Sequence, residues 1–396
     1  MSELTDRAIN SVISGKRAFY KYISANDTGL TKAHQDGYYI GKKAVPIIFD
    51  EPGIKGSNKE RRIRIKWQDG TTTDSMAKYY GTGTRNEYRI TRFGTGFEFL
   101  RHEYTGAFLI LVQHTEDEYE GFVLSHDDDI ELFQNTFDIS PTNSNRLIDA
   151  EQKPIHKLEN EMSSLISGLT VDFPDTSDMS RYARILSYTA KLYKDADAVN
   201  IPDKVLLLWT DTEYQLFRAI ENDRYGAKVR AGFETMDAFI EMANTVLNKR
   251  KSRAGKGFEH HLSALFEANG LQFTEQCVTE GNKKPDFIFP SSEAYSNRLF
   301  PDDRLVFLGA KTTCKDRWRQ ILNEADRFKG RQKFLVTLQQ GVSPAQMDEM
   351  QEEQVVLVVP ERYHNCYPQK PIDYRERLWT VGQFIKYVRS TQDGPF

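Results

Sequence analysis

The chain has 396 residues, enough for two or three domains, because a single hydrophobic core usually stops growing near ~250 residues. It has no run near the ~18 apolar residues of a membrane span, no signal-peptide pattern, and too few, too scattered cysteines for a disulfide framework. The net charge of −4, from 53 basic and 57 acidic residues, excludes a generally cationic surface but leaves room for local basic patches. We therefore expect a cytoplasmic protein without a membrane partner.

The first third of the chain predicts β-structure. Short runs rich in Ile, Val, Tyr and Phe alternate with Gly, Asn, Asp and Pro turns, which is typical of a compact β-barrel or sandwich. The predicted strands are 17–23, 37–40, 45–49, 62–68, 107–114 and 119–125. We place a β domain at residues 1–145 and a linker at 146–174, where turn residues accumulate and one helix is expected over 151–169.

The remainder, residues 175–396, predicts an α/β domain with additional helices at its start. Apolar residues recur at spacings of three and four, which indicates helices at 178–195, 202–222, 234–249 and 258–268. Strands at 286–289, 305–311, 334–338 and 355–359 then alternate with helices at 314–328 and after Ser343. Two of these strands are almost entirely apolar, as in central strands covered on both faces.

Four acid or lysine positions stand out because of where they fall on these elements. Asp286 follows Pro285 at the start of one strand, and Lys311 ends the next strand 25 positions later. Glu324 lies in the following helix and Glu259 in the preceding one. Strand ends and helices of one α/β unit can converge at a sheet edge, and carboxylates with a lysine there suit Mg²⁺-assisted phosphodiester hydrolysis.

This pattern follows the logic of the PD-(D/E)xK nucleases, although Gly309 stands where that motif has its second acid. Residues 313–316 resemble a capping box, so we expect a helix to begin just after the strand. At about 100° per residue, Arg317, Gln320 and Glu324 would then share one helix face. Neighbouring lysine, arginine and aspartate side chains are able to read guanine and cytosine edges.

Basic residues concentrate immediately before Glu259, in a segment that we expect to contact phosphates. The cations are Lys249, Arg250, Lys251, Arg253 and Lys256.

Other polar clusters have simpler interpretations. His260 and His261 are expected on a helix surface, the acidic triplet at 127–129 in a solvated turn, and Cys314 in a packed position.

Long segments of the chain resemble the EcoRII-type restriction endonucleases. In the second part these are KRKSRAGKGFEHHLSALF (249–266), TEGNKKPDFIFP (279–290) and KTTCKDRWRQILNEAD (311–326). In the first part they are SANDTGLTKAHQDGYYI (24–40) and TRNEYRITRFG (84–94). The resemblance runs through nearly the whole chain in the same order, and only 115–170 matches poorly.

The resemblance implies an α/β restriction-endonuclease-like (PD-(D/E)xK) catalytic domain with extra helices, preceded by an all-β DNA-binding pseudobarrel domain. In that family the second acid of the motif has moved into the following helix. Carried over, Asp286, Lys311 and Glu324 are the catalytic set, Glu259 is a supporting acid, and the three acids would hold Mg²⁺. The absence of an acid at Gly309 is then a family feature.

The family also implies how DNA is recognised and cut. Lys315, Asp316 and Arg317, with Arg319, fall where the family reads the CC/GG part of a CCWGG site. Enzymes of this type act on double-stranded DNA inside bacterial cells, form homodimers through the catalytic domain and leave 5′-phosphate ends.

The N-terminal domain of the family binds an additional copy of the target and restrains cleavage until it does so. Its candidate DNA contacts in this chain are Lys21, His34, Tyr39, Arg85, Glu87 and Arg89. We therefore expect a type IIE restriction endonuclease with an autoinhibitory effector domain. Two alternatives remain open at this point: a DNA-binding regulator that does not cleave, and a nuclease that depends on DNA modification.

Overall fold

The computed structural model describes residues 2–30, 37–148, 156–280, 283–324, 326–328, 330–369 and 373–393. The chain forms two compact units that are each discontinuous in sequence. The first contains Met1–Glu151, Gln339–Glu352 and Arg362–Arg377, and the second contains Gln152–Leu338, Glu353–Glu361 and Leu378–Phe396.

The first unit is built on an eight-stranded sheet with the order β2-β5-β4-β3-β7-β6-β1-β8. Its strands are β1 (Arg17–Tyr22), β2 (Tyr38–Ile40), β3 (Lys59–Trp67), β4 (Thr72–Tyr80), β5 (Glu87–Thr91), β6 (Phe108–Gln113), β7 (Glu118–Leu124) and β8 (Arg146–Leu147). All neighbours are antiparallel except β3 and β7. The β prediction for this region is confirmed, although β4, β5 and β8 are not among the predicted strands; β4 was missed because its polar alternation lacks the expected Ile and Val.

Aromatic packing fills one side of this sheet. Trp67 is fully buried and lies within 6.2 Å, between ring centroids, of Tyr38, Phe93, Phe97 and Phe99. Rings of this size remove a large apolar area from water, so this cluster is the main core of the β unit. The predicted strand at 45–49 is wrong, because Pro46 lies within a 3₁₀ helix, Lys42–Ile47.

Helices α1 (Glu3–Ser14) and α2 (Asp127–Thr136) flank the other side of the sheet. The acidic triplet at 127–129 is not a solvated turn; it forms the first turn of α2, where negative charge is favourable. Asp127 is buried, and Asp129 Oδ1 accepts hydrogen bonds from Ser2 Oγ (2.7 Å) and Thr5 Oγ1 (2.8 Å). The triplet therefore joins the two helices.

Two late segments of the chain also belong to the first unit. They carry α9 (Pro344–Glu352), α10 (Asp373–Glu376) and most of a 3₁₀ helix, Glu361–Cys366. Gln339 Nε2 donates to Gly106 O (2.7 Å), and Tyr363 Oη donates to Thr142 O (2.8 Å). Buried hydrogen bonds of this kind tie the late segments to the β unit.

The second unit contains a six-stranded mixed sheet with the order β14-β13-β12-β11-β10-β9. Its strands are β9 (Thr274–Glu275), β10 (Phe287–Phe289), β11 (Val306–Lys311), β12 (Lys333–Thr337), β13 (Val355–Val358) and β14 (Leu378–Trp379). Strands β11 to β14 are parallel, whereas β9, β10 and β11 pair antiparallel. The two almost entirely apolar strands predicted as central, β11 and β13, lie inside the sheet and are mostly buried.

Helices surround this sheet. They are α3 (His156–Ser167), α4 (Thr176–Thr189), α5 (Asp195–Asn200), α6 (Pro202–Ala231), α7 (Met236–Ala268), α8 (Ser292–Ser296) and α11 (Val381–Gln392). The two helices predicted at 234–249 and 258–268 are one continuous helix, α7. The α-helix predicted at 314–328 is wrong, since that segment contains two short 3₁₀ helices, Arg317–Asn323 and Asp326–Phe328.

Within the described ranges, no helix is long and apolar enough to cross a membrane. Cys277, Cys314 and Cys366, all within the described ranges, form no disulfide bond, and Cys314 is buried as expected.

A buried polar pair joins α6 and α7, and it corrects the prediction that His261 lies on a helix surface. His261 is fully buried, with Nε2 2.9 Å from Glu213 Oε2, and Ser180 Oγ donates to the same oxygen (2.6 Å). Burial lowers the pKa of His261. Burial alone would raise the pKa of Glu213, but contact with His261 and Ser180 lowers it.

This pair should make the stability of the fold depend on pH. Both pKa values lie below those of the unfolded chain, ~6.5 for His and ~4.3 for Glu, so the unfolded chain binds more protons. The contribution of this pair to stability should be fully present above about pH 6.5 and fall as the pH drops toward about 4. In His261→Gln, the free energy of unfolding should change less between about pH 7.5 and pH 5.5 than it does in the wild type. Urea unfolding at these two pH values measures the difference. The neighbouring variant His260→Gln serves as the control, and a wild-type slope in His261→Gln would contradict the assignment.

Candidate active site

The antiparallel pairing of β10 and β11 places the start of one strand beside the end of the other. Phe287 lies opposite Leu308, so Asp286, just before β10, reaches the last two residues of β11. Asp286 Oδ2 accepts hydrogen bonds from Ala310 N (2.7 Å) and Lys311 Nζ (3.1 Å). The side chain of Asp286 is only 5% exposed, so this ion pair is largely shielded from water.

Glu259 and Asp286 are linked by a single glutamine. Gln276, directly after β9, donates from Nε2 to Glu259 Oε2 (3.0 Å) and to Asp286 Oδ1 (3.0 Å). Glu259 comes from α7, so a helix and two strands contribute to this cluster. The predicted convergence of Asp286, Lys311 and Glu259 is therefore present in the structure.

Glu324 reaches the cluster from the end of the 3₁₀ helix Arg317–Asn323. Its backbone oxygen accepts a hydrogen bond from Thr279 Oγ1 (2.9 Å), which fixes this turn to the loop after β9. Its Oε2 atom is buried and has no hydrogen-bond partner among the described residues. A buried, unsatisfied acceptor is costly, so this oxygen is available for a donor or a cation.

Gly309 shows why no acid occupies the usual position two residues before the lysine. A Cβ atom at Gly309 would lie 2.6 Å from Ile321 Cγ2, within the 3₁₀ helix that leads to Glu324. Ile321 is completely buried. The side of β11 that would carry the acid is therefore filled by apolar packing, and the helix itself supplies the carboxylate.

The charges of the four residues shift one another's ionisation. Burial, followed by the charge of Asp286, raises the pKa of Glu259 to about 7. Burial raises the pKa of Glu324 to about 7 as well, despite the opposing charge of Lys311. Burial by itself would lower the pKa of Lys311, but Asp286, Glu324 and Glu259 together raise it. A crowded acidic site around one lysine favours the binding of further positive charge.

The donor set fits a hard divalent cation in its chemistry. Over the described residues, no three His, Cys, Asp or Glu side chains already surround one point as a ready metal site. However, the three acids offer carboxylate oxygens, which Mg²⁺ prefers, and Glu324 Oε2 lacks a partner among the described residues. Asp286, Glu324 and Glu259 are therefore suitable to hold such an ion.

The predicted base-reading cluster lies on a different kind of helix from the one expected. Because a 3₁₀ helix turns about 120° per residue, Arg317 and Gln320 share a face but Glu324 does not. Lys315 is buried, whereas Asp316 and Arg319 are exposed. Asp316 and Arg319 are thus the two members of the predicted cluster that are exposed to solvent.

The basic run before Glu259 is only partly exposed, which corrects the expectation of a continuous phosphate-contacting segment. Arg253 is 2% exposed and its guanidinium lies 3.7 Å from the ring centre of Tyr214 and 4.3 Å from that of Phe217. Arg250 forms an ion pair with Glu221. Such stacked and paired arginines hold α6 and α7 together, and the exposed lysines of the run are Lys251 and Lys256.

The candidate contacts of the β unit gather around Tyr39, which pairs with Arg89 across β2 and β5. Lys21 is 3% exposed; its Nζ lies 2.6 Å from Asp27 Oδ2 and donates to Tyr39 O (3.1 Å). Arg89 is 1% exposed and donates to Gly37 O (3.0 Å). These two cations are therefore part of the interior polar framework in this structure.

The remaining candidates of the β unit differ in accessibility. Arg85 is exposed before β5, with its guanidinium 5.5 Å from the ring centre of Tyr80, and Glu87 is half-buried at the start of β5. His34 lies outside the described residues. Arg85 is thus the exposed candidate among those that the structure describes.

Three residues with organising roles were missed from the sequence: Gln276, Thr279 and Asp27. Gln276 and Thr279 follow a two-residue strand, and nothing in their local pattern marks them. Asp27 accepts from Ser24 N (2.8 Å) and Tyr39 N (2.8 Å) as well as contacting Lys21. Its position three residues after Ser24 is compatible with a side-chain-bonded turn, a signal that could have indicated it.

Solved structures with partial similarity are restriction endonucleases bound to DNA. The PspGI–substrate DNA complex is 16% identical with a TM-score of 0.46, covering 55% of this chain and 93% of that chain. Metal-depleted Ecl18kI with uncleaved DNA is 19% identical with a TM-score of 0.46, covering 60% of this chain and 87% of that chain.

Sequence relatives give a stronger result. The family model "EcoRII C terminal" matches residues 217–385, and "Restriction endonuclease EcoRII, N-terminal" matches residues 12–146. The type II restriction enzyme EcoRII of Escherichia coli is 38% identical over 393 residues, covering 93% of this chain and 92% of the relative. The type II restriction enzyme SsoII of Shigella sonnei is 28% identical over 127 residues, covering 30% of this chain and 40% of the relative.

The two family matches confirm the predicted order of an N-terminal β domain and a restriction-endonuclease-like catalytic domain. With the near full-length similarity, they show that the chain belongs to the EcoRII family of type II restriction enzymes.

Proposed function

We propose that this type II site-specific deoxyribonuclease uses Mg²⁺ to hydrolyse double-stranded DNA at a CCWGG-like site. The observation that carries the proposal is the Asp286–Lys311 ion pair at one sheet edge, with Glu259 and Glu324 beside it. Three acids and one lysine provide the groups that phosphodiester hydrolysis needs: ligands for a cation, and a positive charge at the reacting phosphate.

In this proposal each side chain has a distinct task. Asp286 and Glu324, supported by Glu259, would hold Mg²⁺, which supplies charge stabilisation and eases ionisation of a water molecule. Lys311 stays protonated because of its acidic neighbours, so it orients the attacking water and stabilises negative charge on the phosphate. The 3′ oxygen leaves in line with the attack, and the product carries a 5′-phosphate.

Sequence recognition is assigned to the segment between β11 and Glu324. Asp316 can accept from cytosine N4, and Arg317 and Arg319 can donate to guanine O6 and N7. Lys315 is buried, so its contribution requires that it become accessible when DNA binds. Lys251 and Lys256 are the exposed cations that would contact phosphates nearby.

The β unit is proposed to bind an additional copy of the target and to restrain cleavage until it does. Its candidate contacts are Lys21, His34, Tyr39, Arg85, Glu87 and Arg89, of which Arg85 is exposed and Lys21 and Arg89 are buried. The path of the chain supports a connection between DNA binding by the β unit and the candidate active site. Thr337, which pairs with Lys311 across β11 and β12, is followed two residues later by Gln339, whose side chain is bonded to Gly106 of the β unit.

The catalytic domain is proposed to form a homodimer in which each protomer cuts one strand. Support comes from an exposed apolar stripe on α7 made of Met236, Phe239, Ile240 and Leu247, which are 69%, 49%, 47% and 39% exposed. Their spacing of three, one and seven residues places them on one helix face. Apolar side chains in a continuous exposed row mark an interaction surface.

The charges along α7 also favour a second copy of the chain as the occupant of this stripe. The start of the helix is acidic, with Glu234, Asp237 and Glu241, whereas the residues after Leu247 are basic. Two α7 helices crossing antiparallel about a two-fold axis near Ala243 would place acidic ends against basic ends and Phe239 against Leu247.

Removing the lysine ammonium should abolish cleavage but not DNA binding. We expect Lys311→Ala to cut plasmids with several CCWGG sites at least about a hundredfold more slowly, because charge stabilisation at the phosphate is lost. Lys386→Ala, which changes an exposed lysine on α11, is the matched control. Cleavage is followed on gels with Mg²⁺ and with EDTA, and DNA binding by gel shift in Ca²⁺. Wild-type cleavage by Lys311→Ala would overturn the proposed mechanism.

The effector function can be tested on DNA with a single site. Adding a short duplex that carries the target in trans should raise cleavage by the wild-type enzyme. Arg85→Ala should lose most of this stimulation, since Arg85 is an exposed candidate contact, while its rate on unstimulated DNA stays the same. Arg7→Ala, in α1 of the same unit, is the control. Full stimulation of Arg85→Ala by the duplex would argue against this surface.

The dimer surface predicts an effect on assembly. Phe239→Asp should weaken self-association at least tenfold, because a charge would be buried in the centre of the stripe, an estimate on the order of 1.4 kcal/mol or more. Sedimentation velocity over a range of protein concentrations measures the effect. Ile54→Asp changes a residue of the β unit that is 78% exposed and should leave assembly unaffected. A dimer of unchanged strength in Phe239→Asp would exclude this interface.

A further inference from the structure

The side-chain amide of Gln276 lies between two acids of the candidate active site. Its Nε2 atom is 3.0 Å from Glu259 Oε2 and 3.0 Å from Asp286 Oδ1. An amide nitrogen has two N–H donors, so it can serve both carboxylates at once. The opposite orientation would direct the amide oxygen at two acids, so the chemistry of the site requires the nitrogen there.

The other oxygen of Asp286 is already occupied. Oδ2 accepts from Ala310 N and Lys311 Nζ, and Oδ1 is the atom that accepts from Gln276, whose Nε2 also donates to Glu259. A cation that bridges Asp286 and Glu259 would need the same two oxygens that the amide now contacts. The amide and a bridging cation therefore compete for one position.

The backbone holds Gln276 in this place. Its N–H donates to Asp286 O (3.1 Å), extending the pairing of β9 with β10 by one residue. Its φ of 47° lies in the left-handed region, which a glutamine adopts only when its surroundings compensate. The backbone of Gln276 is therefore fixed by strand pairing, and its exposed side chain is directed at the two acids.

We propose that Gln276 is a positioning residue that takes the place of a divalent cation between Glu259 and Asp286 and is displaced when the cation binds. The proposal rests on the function proposed above, because it concerns the same metal-binding acids. It adds that the Gln276 amide occupies the position between the acids in the metal-free protein and that the cation occupies it in the metal-bound protein. In the metal-free protein the amide offsets the repulsion of two neighbouring carboxylates.

The sign of the effect distinguishes this role from ordinary structural support. Removing the amide takes away a competitor, so a divalent cation should bind more tightly. At the same time, the metal-free protein should lose stability, and the cation should restore it. A glutamine that only supported the loop would weaken both properties when removed.

The experiment uses the full-length protein without DNA and Mn²⁺ as the probe, because the electron paramagnetic resonance signal of free Mn²⁺ decreases on binding. Gln276→Ala should lower the half-saturating Mn²⁺ concentration about three- to tenfold, the equivalent of one ordinary net hydrogen bond. It should also melt earlier without Mn²⁺ and show a larger rise in melting temperature when Mn²⁺ is added.

A second variant tests the opposite direction. Gln276→Lys replaces the amide with a permanent cation, so it should weaken Mn²⁺ binding while the metal-free protein keeps its stability. Gln272→Ala, four residues earlier and also exposed, should behave as wild type. Unchanged or weaker Mn²⁺ binding by Gln276→Ala would overturn the proposal.

Asp286→Asn separates this inference from the function on which it rests. If Asp286→Asn binds Mn²⁺ as well as wild type, the acids are not the metal site, and both proposals are wrong. If Asp286→Asn loses binding but Gln276→Ala leaves it unchanged, the metal site stands and only the role of Gln276 is rejected.

Discussion

The site depends on one backbone arrangement, the antiparallel pairing of β10 with β11. Because the start of β10 lies beside the end of β11, Asp286 receives a hydrogen bond from Ala310 N and an ion pair from Lys311. In an all-parallel sheet the start of one strand would lie at the opposite edge from the end of its neighbour. The strand order thus determines that an aspartate and a lysine 25 residues apart share one shielded contact.

The position of the second acid follows from packing against the same strand. Ile321 fills the space beside Gly309, so a side chain on β11 at that point would collide with a buried residue. The carboxylate comes instead from Glu324, at the end of the 3₁₀ helix to which Ile321 belongs. Thr279 holds the backbone of that turn in place. One short helix therefore supplies both the apolar cover of the strand and the acid of the site.

Patterns within single elements could be predicted from the sequence, and so could the convergence of Asp286, Lys311 and Glu259, but most other contacts between elements could not. The apolar run of β11 and the acid and lysine at strand ends indicated the sheet and the candidate catalytic cluster. The segment after Lys311 was expected as an α-helix because its charges have a helical spacing, although three-residue spacing fits a 3₁₀ helix equally well. His261 and Arg253 looked like surface residues, because their partners Glu213 and Tyr214 lie on another helix.

Buried charge explains why the overall charge of −4 says so little about DNA binding. Lys21, Arg89 and Arg253 are nearly inaccessible, and each contacts a carboxylate, a carbonyl oxygen or aromatic rings of its own fold. Removing charges from water requires such partners, so these residues are committed to holding strands and helices together. The cations exposed to a phosphate backbone are therefore fewer than the sequence suggests. What decides DNA contact is therefore which charged side chains are exposed, such as Arg85, Lys251 or Arg319.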